Sequence, residues 1–203
     1  MTTSAEMIFM MGLPAAGKST WIRHHLAEYY VIDPDEVKQL HPHYHPKRPH
    51  ALHLWSKVVA ATTFRYALQL GSGYWAVHCV GANAAHMRQR ITAAKASGFY
   101  VGLVYLRCRL ETALARNARR QRTVPEGVIL AEAGTIEASF EQLVPHAHYV
   151  IEVDSESPGR MRINRQWVNP LPFHHQPPTS GRLEAIWPGW KKTAGNGLAK
   201  TRA

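Results

Sequence analysis

The chain of 203 residues is long enough for one well-buried core with a modest extension, and too short for two large domains. Its 45% hydrophobic content is ordinary for a globular protein, and no apolar run nears the roughly 20 residues needed to span a bilayer. The formal charge of +10 at pH 7 points to an anionic partner, whether nucleotide, nucleic acid, acidic metabolite or acidic protein, without choosing among them. In chain order, residues 6–11 predict a buried first strand; Glu6 stands where a secretory leader would carry positive charge. A glycine-rich turn follows, then a helix over 18–28, a short strand over 29–33 and a polar stretch broken by prolines. The spacing of Leu52, Trp55, Val59, Thr62, Phe64 and Leu68 predicts a long helix over 49–70, ended by Gly71-Ser72-Gly73. Strands over 74–80, 99–106 and 149–153 alternate with helices over 84–97, 110–122 and 125–143.

This alternation is the signature of a parallel sheet covered by helices on both faces. A composition shift marks its end near Ser155: residues 155–203 hold eight Lys or Arg against two Glu, six of the 13 prolines and three of the six tryptophans. We expect a compact domain over 1–154 and an irregular basic extension over 155–203. The only two cysteines, Cys79 and Cys108, lie in apolar runs, so core thiols and a reducing cytoplasm are expected rather than a disulfide framework.

The strongest chemical signal is Gly12-Leu13-Pro14-Ala15-Ala16-Gly17-Lys18-Ser19 between the first strand and the first helix. Gly12 lets the chain turn sharply, and Gly17 permits the close approach that aims successive N–H groups, including those of Ala15, Ala16 and Thr20, at phosphate oxygens. Lys18 then neutralises the β and γ phosphates of ATP and the Ser19 hydroxyl is placed to ligand Mg²⁺, all at the positive end of a helix.

The segment from Gly12 to Trp21, followed by Ile32-Asp33-Pro34-Asp35-Glu36-Val37-Lys38, resembles the opening of the P-loop kinases that include zeta toxins and 5′-hydroxyl polynucleotide kinases; His41-Pro42 resembles the zeta branch. The resemblance implies a three-layer α/β P-loop NTPase fold with a five-stranded parallel sheet. It makes Asp35 the general base, with Asp33 the competing carboxylate, and gives Lys38 the task of holding the acceptor. It makes Arg116-Asn117-Ala118-Arg119-Arg120-Gln121-Arg122-Thr123-Val124-Pro125 the arginine-bearing lid, with Arg120 and then Arg116 closing over the phosphates. The implied reaction moves the γ phosphate of ATP to a hydroxyl on a sugar nucleotide or related metabolite, or on a polynucleotide 5′ end, and an antitoxin-like inhibitor would be a separate chain.

The family pattern places an acid at the end of the third strand, where this chain has Val77-His78-Cys79-Val80-Gly81-Ala82-Asn83. Asn83 alone resembles the polynucleotide-kinase turn and is a substrate-binding candidate, and His78 stands in the acid's neighbourhood. The missing carboxylate also motivates a different expectation: an ATP-binding protein with weak chemistry that uses its basic tail on nucleic acid or a partner. His41, His43, His45, His50 and His53 read as a substrate-side loop, with metal binding the lesser reading. Trp167, Trp187 and Trp190, interleaved with Arg165, Lys191 and Lys192, are suited to stack on bases or to clasp the domain.

Overall fold

The computed structural model describes residues 5–45, 48–157, 161–163 and 166–168. Of the basic tail, Arg165 and all of residues 169–203, with Trp187, Trp190, Lys191 and Lys192, lie outside the described residues. The elements are β1 (Ala5–Gly12), α1 (Lys18–His25), β2 (Tyr30–Ile32), α2 (Pro34–Gln39), α3 (His53–Leu70), β3 (Gly73–His78) and α4 (Ala84–Ala96). There follow β4 (Tyr100–Arg107), α5 (Leu110–Ala118), α6 (Glu126–Leu143), β5 (Tyr149–Asp154), β6 (Met161–Ile163) and β7 (Gln166–Val168).

The sheet order is β2-β3-β1-β4-β5-β6-β7, with the first five strands parallel and helices on both faces. The two short strands after β5 pair antiparallel, each with its predecessor. β1 is the centre: Met7, Ile8, Phe9, Met10 and Met11 are fully buried, as a strand covered on both faces requires. In the same core lie Trp75, Val101, Leu103, Phe140 and Ile151, also out of solvent.

Two polar devices orient the layers. At the amino edge of the sheet, buried Glu6 accepts hydrogen bonds from the hydroxyls of Tyr29 and of Tyr149, the latter at 2.9 Å. Gly102 lies under the Tyr149 ring, where any Cβ would overlap the phenol. At the carboxyl edge, Arg107 Nη1 donates to Glu137 at 2.7 Å and its Nε to Glu152 at 2.6 Å, which ties α6 to β4 and β5.

Several element ends differ from the sequence expectation. The helix expected over 49–70 opens as a 3-10 turn at Pro49–Leu52 and becomes α-helical at His53. α5 stops at Ala118 rather than at 122, because the Asn117 side chain folds back on Val124. Cys79 and Cys108 are free and partly buried, each just past a strand end; Cys79 donates to the Met10 carbonyl at 2.9 Å, and burial pushes its thiol up to about 11.

Candidate functional site

The carboxyl ends of the parallel strands carry the polar cluster, the usual ligand side of an open α/β sheet. Gly12 leaves β1 with φ +148, and a Cβ there would meet the Leu106 carbonyl oxygen at 2.8 Å. Ala15 is in the left-handed region at φ 63, and Gly17 caps α1 at φ 103. The loop therefore curls around a hollow into which the first amides of α1 open. Lys18, 5% exposed, donates from Nζ to the carbonyls of Gly12 at 2.7 Å and Leu13 at 2.9 Å. Burial lowers its ammonium pKa to about 8, against the pull of Cys79 and Asp33.

Beside the loop is a cleft of about 390 Å³ lined by Ala15, Ala16, Gly17, Thr20, Arg116 and Arg120 among others. That is within the range of small-molecule sites. Arg116 is fixed there: its Nη2 donates to the Ser155 carbonyl at 3.0 Å and its Nη1 lies 3.4 Å from the Ala16 carbonyl. Arg120 has no carboxylate partner among the described residues, and burial followed by Arg122 lowers its pKa. It is a cation left available for phosphate oxygens.

On the other flank, Asp33 ends the β2 run and caps α2. Its Oδ1 accepts from the Asp35 amide at 2.8 Å, and its Oδ2 lies 3.4 Å from His78 Nδ1. With both oxygens occupied and only 4% exposure, Asp33 is the structural carboxylate of the turn. Asp35 sits two residues further, in the first turn of α2, where its Oδ1 accepts from Lys38 Nζ at 2.9 Å and Arg122 Nη2 at 2.8 Å. Burial works to raise the Asp35 pKa, but Arg122 and Lys38 outweigh it and bring it down to about 2. Lys38 is itself buried and lies 3.5 Å from His53 Nδ1, so the far end of the histidine-rich stretch borders the same cluster.

Not every singled-out residue converges there. Asn83 is spent on α4, its Oδ1 accepting from the His86 amide at 2.9 Å. His41 packs edge-on against Trp55 and beside His43. Among the described residues no group of three or more His, Cys, Asp or Glu is arranged to hold a metal ion.

For three further residues the partners are set in three dimensions. Arg122, rather than Arg120, meets Asp35. His78, partly buried and held below the usual imidazole value chiefly by desolvation, has its Nε2 3.4 Å from Ser19 Oγ. Glu132 lies on the buried stripe of α6 between Ile129 and Ile136; its Oε2 is buried with no hydrogen-bond partner, and burial raises its carboxyl pKa against the pull of Lys18. The stripe's helical spacing was a usable signal for Glu132, a carboxylate among apolar neighbours.

The lid is anchored by Asn117, whose Nδ2 donates to the Val124 carbonyl at 2.8 Å while its Oδ1 accepts from the Val124 amide at 2.9 Å. Asn117→Ala strands both backbone groups of Val124, with an expected loss of about 1–3 kcal/mol. Thermal unfolding would read that loss, and faster amide exchange over 119–124 would place it in the lid; an unchanged melting point would refute it.

A family model described as an AAA domain matches residues 7–143. No curated protein matches the sequence significantly. Among solved structures, a chain of the PezAT chromosomal toxin–antitoxin system of Streptococcus pneumoniae superposes with a TM-score of 0.62 at 14% identity, over 76% of this chain and 69% of that one. The complex of AvrRxo1-ORF1 and AvrRxo1-ORF2 with ATP gives 0.60 at 14% identity, over 83% of this chain and 61% of that one. The Pnkp1/Rnl/Hen1 RNA repair complex gives 0.53 at 13%, over 70% and 47%. This chain thus spans about three fifths of the second and half of the third. At such identities the likeness is one of fold.

Proposed function

We propose that this chain, which belongs to the AAA-domain family whose model it matches over residues 7–143, transfers the γ phosphoryl group of ATP to a hydroxyl acceptor. The observation that carries the reading is the Asp35 carboxylate, bracketed by Lys38 and Arg122 on the flank of the phosphate loop that holds Lys18. A nucleotide-binding loop alone would serve any NTPase; a fixed carboxylate between two cations beside it suits an acceptor that must be deprotonated while its own anionic groups are held.

The residues divide the task. ATP phosphates take up the loop amides and draw Lys18 Nζ from the Gly12 and Leu13 carbonyls, while Arg116 and Arg120 border the cleft on the nucleotide side. The acceptor oxygen forms a bond to the γ phosphorus and gives its proton to Asp35; the bond to the β–γ bridging oxygen breaks and ADP leaves with that electron pair. Lys38 and Arg122 shift from Asp35 to the acceptor's anionic group, and the unused Glu132 oxygen offers a seat for one of its hydroxyls. The Ser19 hydroxyl at the mouth of the loop is a hard oxygen donor, which fits Mg²⁺. When bound, that ion neutralises charge on the β and γ phosphates.

Incubation with γ-labelled ATP and either UDP-N-acetylglucosamine or a 5′-hydroxyl oligonucleotide tests the reading. Label in the sugar nucleotide supports the metabolite kinase, which the zeta-like His41-Pro42 favours; label in the oligonucleotide supports the polynucleotide kinase, which the basic residues past 155 favour. ATP bound with label in neither would sink the kinase reading for these acceptors and leave an ATP-binding protein that meets nucleic acid or a partner through its basic tail. PezAT is a toxin–antitoxin system and AvrRxo1-ORF1 is found in complex with AvrRxo1-ORF2, which supports a separate antitoxin-like chain for this protein as well.

Arg122 supplies a separate expectation. It occupies the base until an acceptor competes for it, so Arg122→Ala should free Asp35 to activate water. Acceptor-independent ATP hydrolysis, followed by phosphate release, is expected to rise several-fold; a fall or no change would show that Arg122 does not mask the base.

A further inference from the structure

β3 brings no carboxylate to the phosphate loop, yet Asp33, Ser19 and His78 form a continuous line. Asp33 Oδ2 lies 3.4 Å from His78 Nδ1, and His78 Nε2 lies 3.4 Å from Ser19 Oγ. The line is built by the sheet: Ile32 pairs with Val77 across β2 and β3, so the next residue of each chain, Asp33 and His78, meet at the carboxyl rim. Met10 pairs with His78 on the other side, and the loop after β1 returns Ser19 over the same imidazole. Asp33 and His78 are both shielded from solvent, at 5% and 17% side-chain exposure. Asp33 cannot turn away, because its Oδ1 caps α2.

We infer that His78 is a positioning residue for Ser19, relaying the buried Asp33 carboxylate to the hydroxyl that would ligand the nucleotide-borne Mg²⁺. A carboxylate at Nδ1 fixes the ring proton there and leaves Nε2 as a lone pair. That lone pair accepts the Ser19 hydroxyl proton and turns the oxygen lone pairs outward to the phosphate mouth. Without it the hydroxyl rotates freely and presents its proton to the metal in part of its population. Outer-sphere partners of this kind typically govern about 10–100-fold in metal affinity. The acid absent from β3 is thus supplied one strand away and passed on by an imidazole.

The inference deepens the proposed function but rests only on its metal–nucleotide half, so the experiment measures binding and needs no phosphoryl transfer. ATP affinity is determined by calorimetry with Mg²⁺ and with EDTA for the full chain, His78→Ala and Asp33→Asn. Asparagine keeps the α2 cap but can present its amide N–H to Nδ1, reversing the tautomer so that Nε2 donates to Ser19 and opposes the metal. The expected result is that both variants lose about tenfold or more of the Mg²⁺-dependent gain, the ratio of the affinity with Mg²⁺ to that in EDTA. His78→Gln, whose Oε1 can accept the same proton, should restore part of the gain. An undiminished Mg²⁺ gain in either variant, equal losses with Mg²⁺ and EDTA, or no Mg²⁺ gain in the unmodified chain would each overturn the inference. Should His78→Ala unfold, Asp33→Asn decides. A normal Mg²⁺ response with no labelled product would fell the kinase reading and leave this one standing.

Discussion

Asp35→Asn is expected to lower the rate of phosphoryl transfer about 10²–10⁴-fold, the usual worth of a positioned proton acceptor, with ATP affinity nearly unchanged. Asparagine keeps the shape of the side chain and can still accept from Lys38 or Arg122, but it cannot take the acceptor's proton. The pH profile distinguishes this role from mere shape. With its pKa brought down to about 2, Asp35 is ionised at every pH above about 3, so the transfer rate should show no acid limb from this group near neutrality. The same depression links it to folding: the stabilising ion pairs are present above the carboxyl's unfolded value and are lost as pH falls from about 4 through about 2. Retention of transfer activity by a folded Asp35→Asn would show that the base lies elsewhere.

Lys18→Met should be as damaging on the nucleotide side. The ammonium is out of solvent, held by two loop carbonyls, and is the deepest cation in the hollow of the loop. Methionine fills the stem's volume and keeps the fold, but charge on the transferring group loses its partner, at an expected cost of about 10²–10³-fold in transfer. ATP affinity should also drop, read by calorimetry. Burial sets the free ammonium at about pH 8, so the unmodified chain should bind ATP with proton uptake and lose affinity as pH rises through 8. A pH-independent affinity from 7 to 9 would contradict that.

What could be read from the sequence follows from how far each feature reaches along the chain. The phosphate loop is a matter of backbone spacing within eight residues, and Asp35 and Lys38 meet because three positions is one turn of α2. The alternation of strands and helices sufficed for the five-stranded parallel sheet. Arg122 was one of four arginines in a basic run, and nothing local singles it out; its partner is 87 positions away. Likewise, His78 looks like an ordinary strand-end histidine until the register of β2 on β3 sets it beside Asp33. Asn83 matched a family turn, whereas its side chain is also a good helix cap, and capping is the task it performs here.

The order of the sheet bears on where the basic tail is rooted. β6 reverses against β5 and β7 reverses again, so β7 runs in the direction of β1 and delivers residue 168 to the rim that bears the phosphate loop. It does so six strand spacings from β2, roughly 29 Å from the flank of Asp35. Residue 168, from which the chain continues toward its basic residues, therefore stands at the mouth of the domain, on its nucleotide flank and not at its back. A small acceptor reaching Asp35 approaches from the opposite flank of the sheet.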